Sequence, residues 1–170
     1  MRVQVKGRPG SPVGQLVCGT FQCPVALGKN GVRAAADKRE SDGCTPLGTY
    51  RILYGLYRPD RVAAPINTGV VWLPLTSAMG WGDAPHDPAY NSLVPVGYGA
   101  SHERLWREDT AYDRLLVIGH NLPAVPGMGS AIFIHQLHAG KAFTAGCVAL
   151  AAADFTAMLA QRPTQVCIQQ

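Results

Sequence analysis

The chain has 170 residues, of which 47% are hydrophobic and 15% charged, and its net charge at pH 7 is +4. This length and apolar content suit a single globular domain, and the scattered basic residues argue against a nucleic-acid partner. No stretch approaches the ~20 apolar residues of a membrane span, and no signal peptide is visible at the N-terminus. The 19 glycines and 13 prolines favour a turn-rich β architecture over a helical bundle.

Short β-prone runs recur along the chain with turn signals between them, and we expect ten strands. A helix is predicted at Ala152–Gln161, because Pro163 follows its end. A short second helix is predicted at Ser101–Glu108, where Ser101 provides a capping-like start. The predicted strands are Val3–Val5, Leu16–Cys18, Gln22–Leu27, Tyr50–Tyr57, Val70–Leu73, Leu93–Val96, Leu115–Gly119, Ala131–His135, Cys147–Leu150 and Val166–Gln169.

These elements predict a mainly β fold, a sandwich or barrel with one or two short helices, in one domain of residues 1–170. A segment at about 58–92 is long, rich in proline and without clear periodicity. Loops of this length inside a compact domain are uncommon unless they have a function. Because the segment also carries three aromatic residues, we expect it to form a lid or the wall of a groove.

The stretch Ile132–Leu150 is the most informative part of the sequence. An apolar run delivers His135, and twelve residues later Gly146 and Cys147 open a second apolar run. A histidine and a cysteine at the ends of two short strands can be held side by side, which is what a cysteine nucleophile needs. We therefore interpret Cys147 as a nucleophile and His135 as the general base that takes its proton and returns it to the leaving amine.

Two neighbouring features are expected to support this chemistry. Gly146 removes a side chain next to the sulfur, so that substrate backbone can approach and nearby amide N–H groups can face a developing oxyanion. The helix predicted after Cys147 would lower the pKa of the thiol through its N-terminal dipole.

Five cysteines stand at positions 18, 23, 44, 147 and 167. If Cys147 is free, the other four permit two disulfides in three pairings, and Cys18 and Cys23 could face each other across a hairpin. We interpret the four instead as small buried hydrophobic residues.

The stretch resembles the active-site motif of YkuD-type L,D-transpeptidases, in which a histidine precedes a Ser/Thr-x-Gly-Cys segment, here Thr144–Cys147. The resemblance extends over roughly residues 20–168. It is carried also by Asp42–Gly48 with the strand-like run after it, by Trp81–Asp83, Tyr90–Asn91, Ser101–Asp109 and Gly127–Ser130. It implies a YkuD-like β-sandwich or barrel and an enzyme that needs no metal or organic cofactor.

The implied function is that of a peptidoglycan L,D-transpeptidase. Cys147 would form an acyl-enzyme with a donor stem peptide and transfer it to an amine of a second stem, giving a 3,3 or a 1,3 cross-link. Hydrolysis at the same site would make the protein an L,D-carboxypeptidase or endopeptidase instead. This substrate implies a location in the periplasm or cell wall, and we expect a monomer.

Two alternatives belong to other classes. One is a non-catalytic domain that binds the cell wall and keeps only the fold. The other is a zinc enzyme, because His135, His138 and Cys147 also match a three-ligand zinc site with an open position, although no fourth ligand or HExxH arrangement accompanies them.

Further residues are expected to position the reacting groups or to bind substrate. In the family a backbone carbonyl directly after the histidine orients the ring, and here it is that of Gln136. Ala145 and Ala149 stand where many family members carry histidine and arginine or asparagine, so donor recognition must be arranged differently. The side chains expected to bind substrate are Lys38, Trp81, Asp83, Asn91, His120, Asn121 and Thr144, the last of which could instead brace its own loop.

Overall fold

Fourteen short strands and one α-helix make up the structure, a computed structural model that describes residues 1–170. A single 3-10 turn at Ala35–Asp37 adds a second, shorter helical element. The elements are β1 (Arg2–Arg8), β2 (Ser11–Cys18), β3 (Phe21–Ala26), β4 (Val32–Arg33), β5 (Thr45–Pro46), β6 (Gly48–Tyr57), β7 (Trp72–Pro74), β8 (Met79–Gly82), β9 (Leu93–Pro95), β10 (His102–Arg104), β11 (Arg114–Ile118), β12 (Phe133–Gln136), β13 (Val148–Leu150), α1 (Ala152–Ala160) and β14 (Gln165–Gln169).

Eight of the strands close on themselves in the order β11-β12-β13-β3-β2-β1-β14-β6, with β6 pairing back to β11. Strand β6 can do this because it is ten residues long: Gly48–Arg51 pairs with β14, and Ile52–Tyr57 pairs with β11. A register shift opposite Leu53 lets the strand bend between its two partners. The result is a barrel-like sandwich, as the sequence predicts.

Two apolar clusters fill the fold. The larger has 20 buried residues, drawn mainly from the barrel strands and from the buried face of α1. The smaller has 10 and includes Cys147 itself, together with Trp81, Leu105, Tyr112 and Phe133. Burying each large apolar side chain stabilises the fold by roughly 1.5–3 kcal/mol, so the surroundings of Cys147 are part of a packed core.

The structure confirms the mainly β fold class, and each of the ten predicted strands overlaps an observed one. The helix after Cys147 is also confirmed, as α1. The helix predicted at Ser101–Glu108 is wrong, because His102–Arg104 instead forms β10 and pairs with β8. Leu105 is then completely buried in the smaller core. Four short strands, β4, β5, β8 and β10, were not predicted.

The predicted lid or wall segment is less irregular than its sequence suggests. It contains β7 and β8, and β8 pairs with β9 and β10 in a small three-stranded sheet. Directly after β8, Asp83 borders the main cavity of the structure.

All five cysteines are free thiols. Cys18 and Cys23 do not face each other across the β2–β3 hairpin, because Cys18 pairs with Phe21 and Cys23 with Leu16. Burial raises the pKa of Cys18, and it raises that of Cys23 to about 11. These two thiols therefore behave as small buried hydrophobic groups.

Candidate active site

Strands β12 and β13 bring Cys147 and His135 to one cavity. The two strands pair in parallel, with Ile134 opposite Val148 and His135 opposite Ala149. Continuing this register by one residue places Cys147 beside Phe133. Phe133 and His135 are two residues apart on β12, so their side chains share a face of the sheet, and Cys147 lies on that face as well. Cys147 and His135 both line a cavity of about 760 Å³.

The thiol of Cys147 is held by two backbone groups. Its Sγ donates a hydrogen bond to the carbonyl oxygen of Ala131 at 3.2 Å and accepts one from the N–H of Phe133 at 3.3 Å. Only 7% of the residue is exposed. Burial raises the pKa of Cys147 to about 12, although the N–H of Phe133 opposes this rise. The resting group is therefore a neutral thiol.

The prediction that the helix dipole lowers the pKa of this thiol is wrong. Strand β13 lies between Cys147 and α1, which begins only at Ala152. Because the influence of a helix terminus falls off within its first turn, α1 does not lower the pKa of the thiol.

His135 is a neutral imidazole whose ring orientation is fixed. Its Nδ1 lies 2.7 Å from the carbonyl oxygen of Gln136, as the family resemblance implies. Because a carbonyl oxygen only accepts, we assign the proton to Nδ1, which leaves Nε2 as the basic nitrogen. Burial lowers the pKa of His135 to about 4. The ring also packs at 83° to the ring of Tyr112, with centroids 5.2 Å apart.

The turn Thr144–Cys147, called the thiol turn below, is braced from within. Thr144 Oγ1 donates to the carbonyl oxygen of Cys147 at 2.7 Å and accepts from the N–H of Gly146 at 3.1 Å. A Cβ on Gly146 would lie 2.9 Å from the carbonyl oxygen of Cys44 and 2.9 Å from Ile132 Cδ1. Close packing inside the protein therefore requires this glycine, beyond any need for space beside the sulfur.

Three of the side chains predicted to bind substrate border the cavity: Lys38, Asp83 and Thr144. Lys38 is 2% exposed, and its Nζ donates to the carbonyl oxygen of Arg39 at 2.6 Å and to Asp42 Oδ1 at 2.7 Å. Burial by itself would raise the pKa of Asp42, but hydrogen bonds from Lys38 and from two backbone N–H groups bring it below its usual value. A buried ion pair thus stands at the rim of the cavity.

The other four predicted residues do not line the cavity. Trp81 and His120 are buried, and Asn91 is hydrogen-bonded to both of them. His120 Nε2 lies 3.1 Å from the carbonyl oxygen of Met128, and Asn121 Nδ2 donates to the carbonyl oxygen of Gly129 at 3.0 Å. These side chains therefore organise the loop that leads into β12.

A charged wall of the cavity was not predicted from the sequence. Glu103 accepts a hydrogen bond from the hydroxyl of Tyr112 at 2.8 Å, and burial raises the pKa of this carboxyl group. Arg107 pairs with Asp109 through two hydrogen bonds, of 2.9 and 2.6 Å. The available signal was the group of acidic and basic residues at 103–109, most of which lies within the segment predicted as a helix.

The zinc alternative has no ligand set in this structure. His138 also lines the cavity, but no three His, Cys, Asp or Glu side chains are arranged so that they could hold a metal ion. His135, moreover, directs its Nδ1 to a backbone carbonyl.

A barrel-like sandwich that buries a thiol and a neutral imidazole on one cavity has the architecture of a cysteine-dependent enzyme. The family model for the YkuD L,D-transpeptidase catalytic domain matches residues 14–168, nearly the whole chain. The chain therefore belongs to the YkuD L,D-transpeptidase family, whose members are cysteine-dependent enzymes that act on peptidoglycan stem peptides, typically in the cell wall or periplasm. No curated protein matches the chain. The structure contains no helix of the length and apolarity needed to cross a membrane.

Proposed function

We propose that this protein is a cysteine acyltransferase, a peptidoglycan L,D-transpeptidase in which Cys147 is the nucleophile and His135 the general base. One observation carries the proposal: the thiol and the imidazole line the same cavity. The contact of Nδ1 with the carbonyl of Gln136 supports it, because it assigns the proton of the ring to that nitrogen. The substrate would place the protein in the periplasm or cell wall, acting as a monomer.

The attack starts from two neutral groups. Because burial disfavours a free thiolate at Cys147, the proton leaves Sγ for Nε2 of His135 while the sulfur bonds to the carbonyl carbon of the donor stem. The electron pair of the carbonyl moves onto its oxygen and forms a tetrahedral intermediate. The imidazolium of His135 then gives its proton to the amine nitrogen as the C–N bond breaks, which releases a D-amino acid and leaves a thioester.

The backbone of the thiol turn offers a donor to the developing oxyanion at Cys147 itself. The N–H of Gly146 is committed to Thr144 Oγ1, whereas the N–H of Cys147 makes no hydrogen bond within the chain. We propose that this N–H stabilises the oxyanion, since a fixed donor in a dry site contributes most where charge develops. Asp83 borders the same cavity and would meet an amine group of the stem peptides, whereas the buried ion pair of Lys38 would hold the rim in shape.

An amine of a second stem then resolves the thioester. The amine nitrogen attacks the thioester carbonyl, His135 takes a proton from it, and the C–S bond breaks as the new amide forms and the thiol is restored. The product is a 3,3 or a 1,3 cross-link. Water in place of the amine would give a carboxypeptidase or endopeptidase with the same residues.

Intact-protein mass spectrometry after incubation with a carbapenem tests the proposal, because these β-lactams acylate the nucleophile of this family as a class. We expect one adduct on the wild type and on Cys167→Ala, which removes the one cysteine that is not buried, and none on Cys147→Ala. Stem peptides would then distinguish cross-linked dimers from hydrolysed monomers by mass. No adduct on any protein would overturn the transpeptidase proposal in favour of a binding domain, and an adduct on Cys147→Ala would place the nucleophile elsewhere.

A further inference from the structure

Ala131 adopts an unusual backbone conformation at the point where it meets the thiol. Its φ is +53°, in the left-handed region that non-glycine residues rarely occupy. In this conformation its carbonyl oxygen accepts the hydrogen bond from Cys147 Sγ at 3.2 Å. Such strained residues persist only where the surrounding structure holds them, so something must hold Ala131.

Asn91 makes that contact. Its Oδ1 accepts from the N–H of Ala131 at 3.2 Å and from Trp81 Nε1 at 3.0 Å. Its Nδ2 donates to the carbonyl oxygens of His120 at 3.0 Å and of Asn121 at 3.1 Å. Both donors and both acceptor positions of the amide are used, so its orientation is fixed and it has no donor left for a substrate.

Trp81 connects the side-chain amide of Asn91 to Phe133, the second hydrogen-bond partner of the Cys147 sulfur. The indole ring packs at 89° to the ring of Phe133, with centroids 5.0 Å apart. The backbone N–H of Phe133 is the group that donates to Cys147 Sγ. Asn91 therefore holds Ala131, which accepts from the thiol, and Trp81 packs against Phe133, which donates to it.

We propose that Asn91, together with Trp81, is a positioning residue for Cys147. It holds the carbonyl of Ala131 on the thiol proton, which favours the neutral thiol. Together with Trp81 it also keeps the N–H of Phe133 on the sulfur, so that Sγ stays correctly aimed until a substrate enters. The inference concerns the thiol itself, and only its acylation readout rests on the proposed function.

Loss of the Asn91 side chain has a consequence specific to this role. Without its acceptor, Ala131 is free to leave the left-handed region and to withdraw its carbonyl from Sγ. A hydrogen bond donated by the protonated thiol stabilises the protonated form, so its loss lets Cys147 ionise at lower pH. The sulfur at the same time loses its aim toward the reacting carbonyl, and small misplacements of reacting groups are costly in rate.

The test compares wild type, Asn91→Ala and Asn67→Ala. Asn67 is a matched control, because it also has a positive φ, of +55°, but is exposed and lies outside the cavity lining. Alkylation by iodoacetamide is followed over a range of pH with peptide mapping, so that Cys167 and the three other thiols serve as internal references. Acylation by a carbapenem is timed on the same proteins.

We expect Asn91→Ala to shift alkylation of Cys147 to lower pH while carbapenem acylation slows by roughly tenfold to a hundredfold. Asn67→Ala should change neither. A folded Asn91→Ala protein with the wild-type pH profile and acylation rate would overturn the inference. Faster alkylation of all five cysteines together would instead report unfolding of Asn91→Ala, and the decision would then pass to the milder variant Trp81→Phe.

A milder variant covers the case in which Asn91→Ala does not fold. Trp81→Phe removes the N–H that Asn91 Oδ1 accepts while keeping an aromatic ring against Phe133, and we expect shifts in the same directions but smaller. An unchanged profile in folded Trp81→Phe would then contradict the inference. If the wild type forms no carbapenem adduct, the proposed function fails, and the alkylation profile alone decides the role of Asn91.

Discussion

Gly146 lies directly against the backbone carbonyl of Cys44, so that a Cβ on Gly146 would come within 2.9 Å of that oxygen. The carbonyl cannot retreat easily, because the next residue, Thr45, is tied by its N–H to Gly31 and by its hydroxyl to the N–H of Gly28. The thiol turn is thus packed against backbone that is held in place by its own hydrogen bonds.

Gly146→Ala should therefore displace the thiol turn. Overpacking of this kind costs about 1–3 kcal/mol, and we expect a loss of this size in the free energy of unfolding together with slower carbapenem acylation of Cys147. Urea unfolding and timed mass spectrometry measure the two effects. Gly99→Ala is the control, because nothing lies within 4 Å of a Cβ at that position. Equal stability of the two variants would contradict the packing argument.

Thr144→Val should loosen the thiol turn from within. The change keeps the shape of the side chain but removes the hydrogen bonds to the carbonyl of Cys147 and from the N–H of Gly146. Because two hydrogen bonds are lost, we expect about 1–3 kcal/mol less stability and slower acylation. Thr144→Ser keeps the hydroxyl and should lie close to wild type in urea unfolding. Similar losses in both variants would instead assign the effect to packing of the methyl group.

The rate of carbapenem acylation should vary little with pH around neutrality. His135 has a pKa of about 4 and Cys147 of about 12, so neither group changes its charge there, and the rate should fall only as the pH approaches 4. His135→Asn keeps a donor near the carbonyl of Gln136 but removes the base, and should lower the rate by about 10²–10⁴-fold. A steep rise of the wild-type rate between pH 6 and 8 would show that a thiolate reacts instead.

Stability should depend on pH through the same histidine. Burial lowers the pKa of His135 from 6.5 to about 4, so the unfolded chain takes up this proton first as the pH falls. The contribution of neutral His135 is complete above pH 6.5 and is lost as the pH falls toward 4, by about 3 kcal/mol. Denaturant unfolding of wild type and His135→Asn across this range measures the difference. Parallel curves for the two proteins would show that His135 is not the titrating group.

Lys38→Met should be strongly destabilising. The substitution removes the buried cation of Asp42 and leaves it only the more exposed Arg33, 3.7 Å away. Breaking a buried pair costs about 3–5 kcal/mol. The double variant Lys38→Met with Asp42→Asn removes both charges and should recover part of the loss, as thermal unfolding would show. No recovery would mean that Lys38 acts through packing and its hydrogen bond to the carbonyl of Arg39.

The strands were accessible from the sequence because each is local, and the placement of Cys147 and His135 on one cavity needs only the pairing of two strands that are close in sequence. An apolar run that ends in a histidine, and another that begins after a cysteine, are read from adjacent residues, and pairing of the two strands then brings the side chains together. The prediction that the helix dipole acts on the thiol was wrong because it depends on the exact length of the strand between them. Three residues of β13 intervene before α1, and strand length is too fine a detail for a sequence pattern.

The acidic and basic wall of the cavity could not be predicted from the sequence, because tertiary contacts bring its residues to the cavity. Residues 101–108 have the composition of a helix, yet β10 forms because β8 offers a partner whose Gly80 leaves room for the ring of His102. The role of Asn91 was hidden in the same way. Its four hydrogen bonds reach residues 10 to 40 positions away, and no local pattern signals such a hub.

The buried, neutral state of Cys147 also determines how readily its thiol is oxidised. Oxidants such as peroxide attack the thiolate of exposed cysteines, and susceptibility follows thiolate character and exposure. Cys147 has neither at rest, whereas Cys167 is the one cysteine that is not buried. We therefore expect a resting molecule to lose Cys167 to sulfenic acid first and to keep its reactive sulfur intact through long periods without substrate.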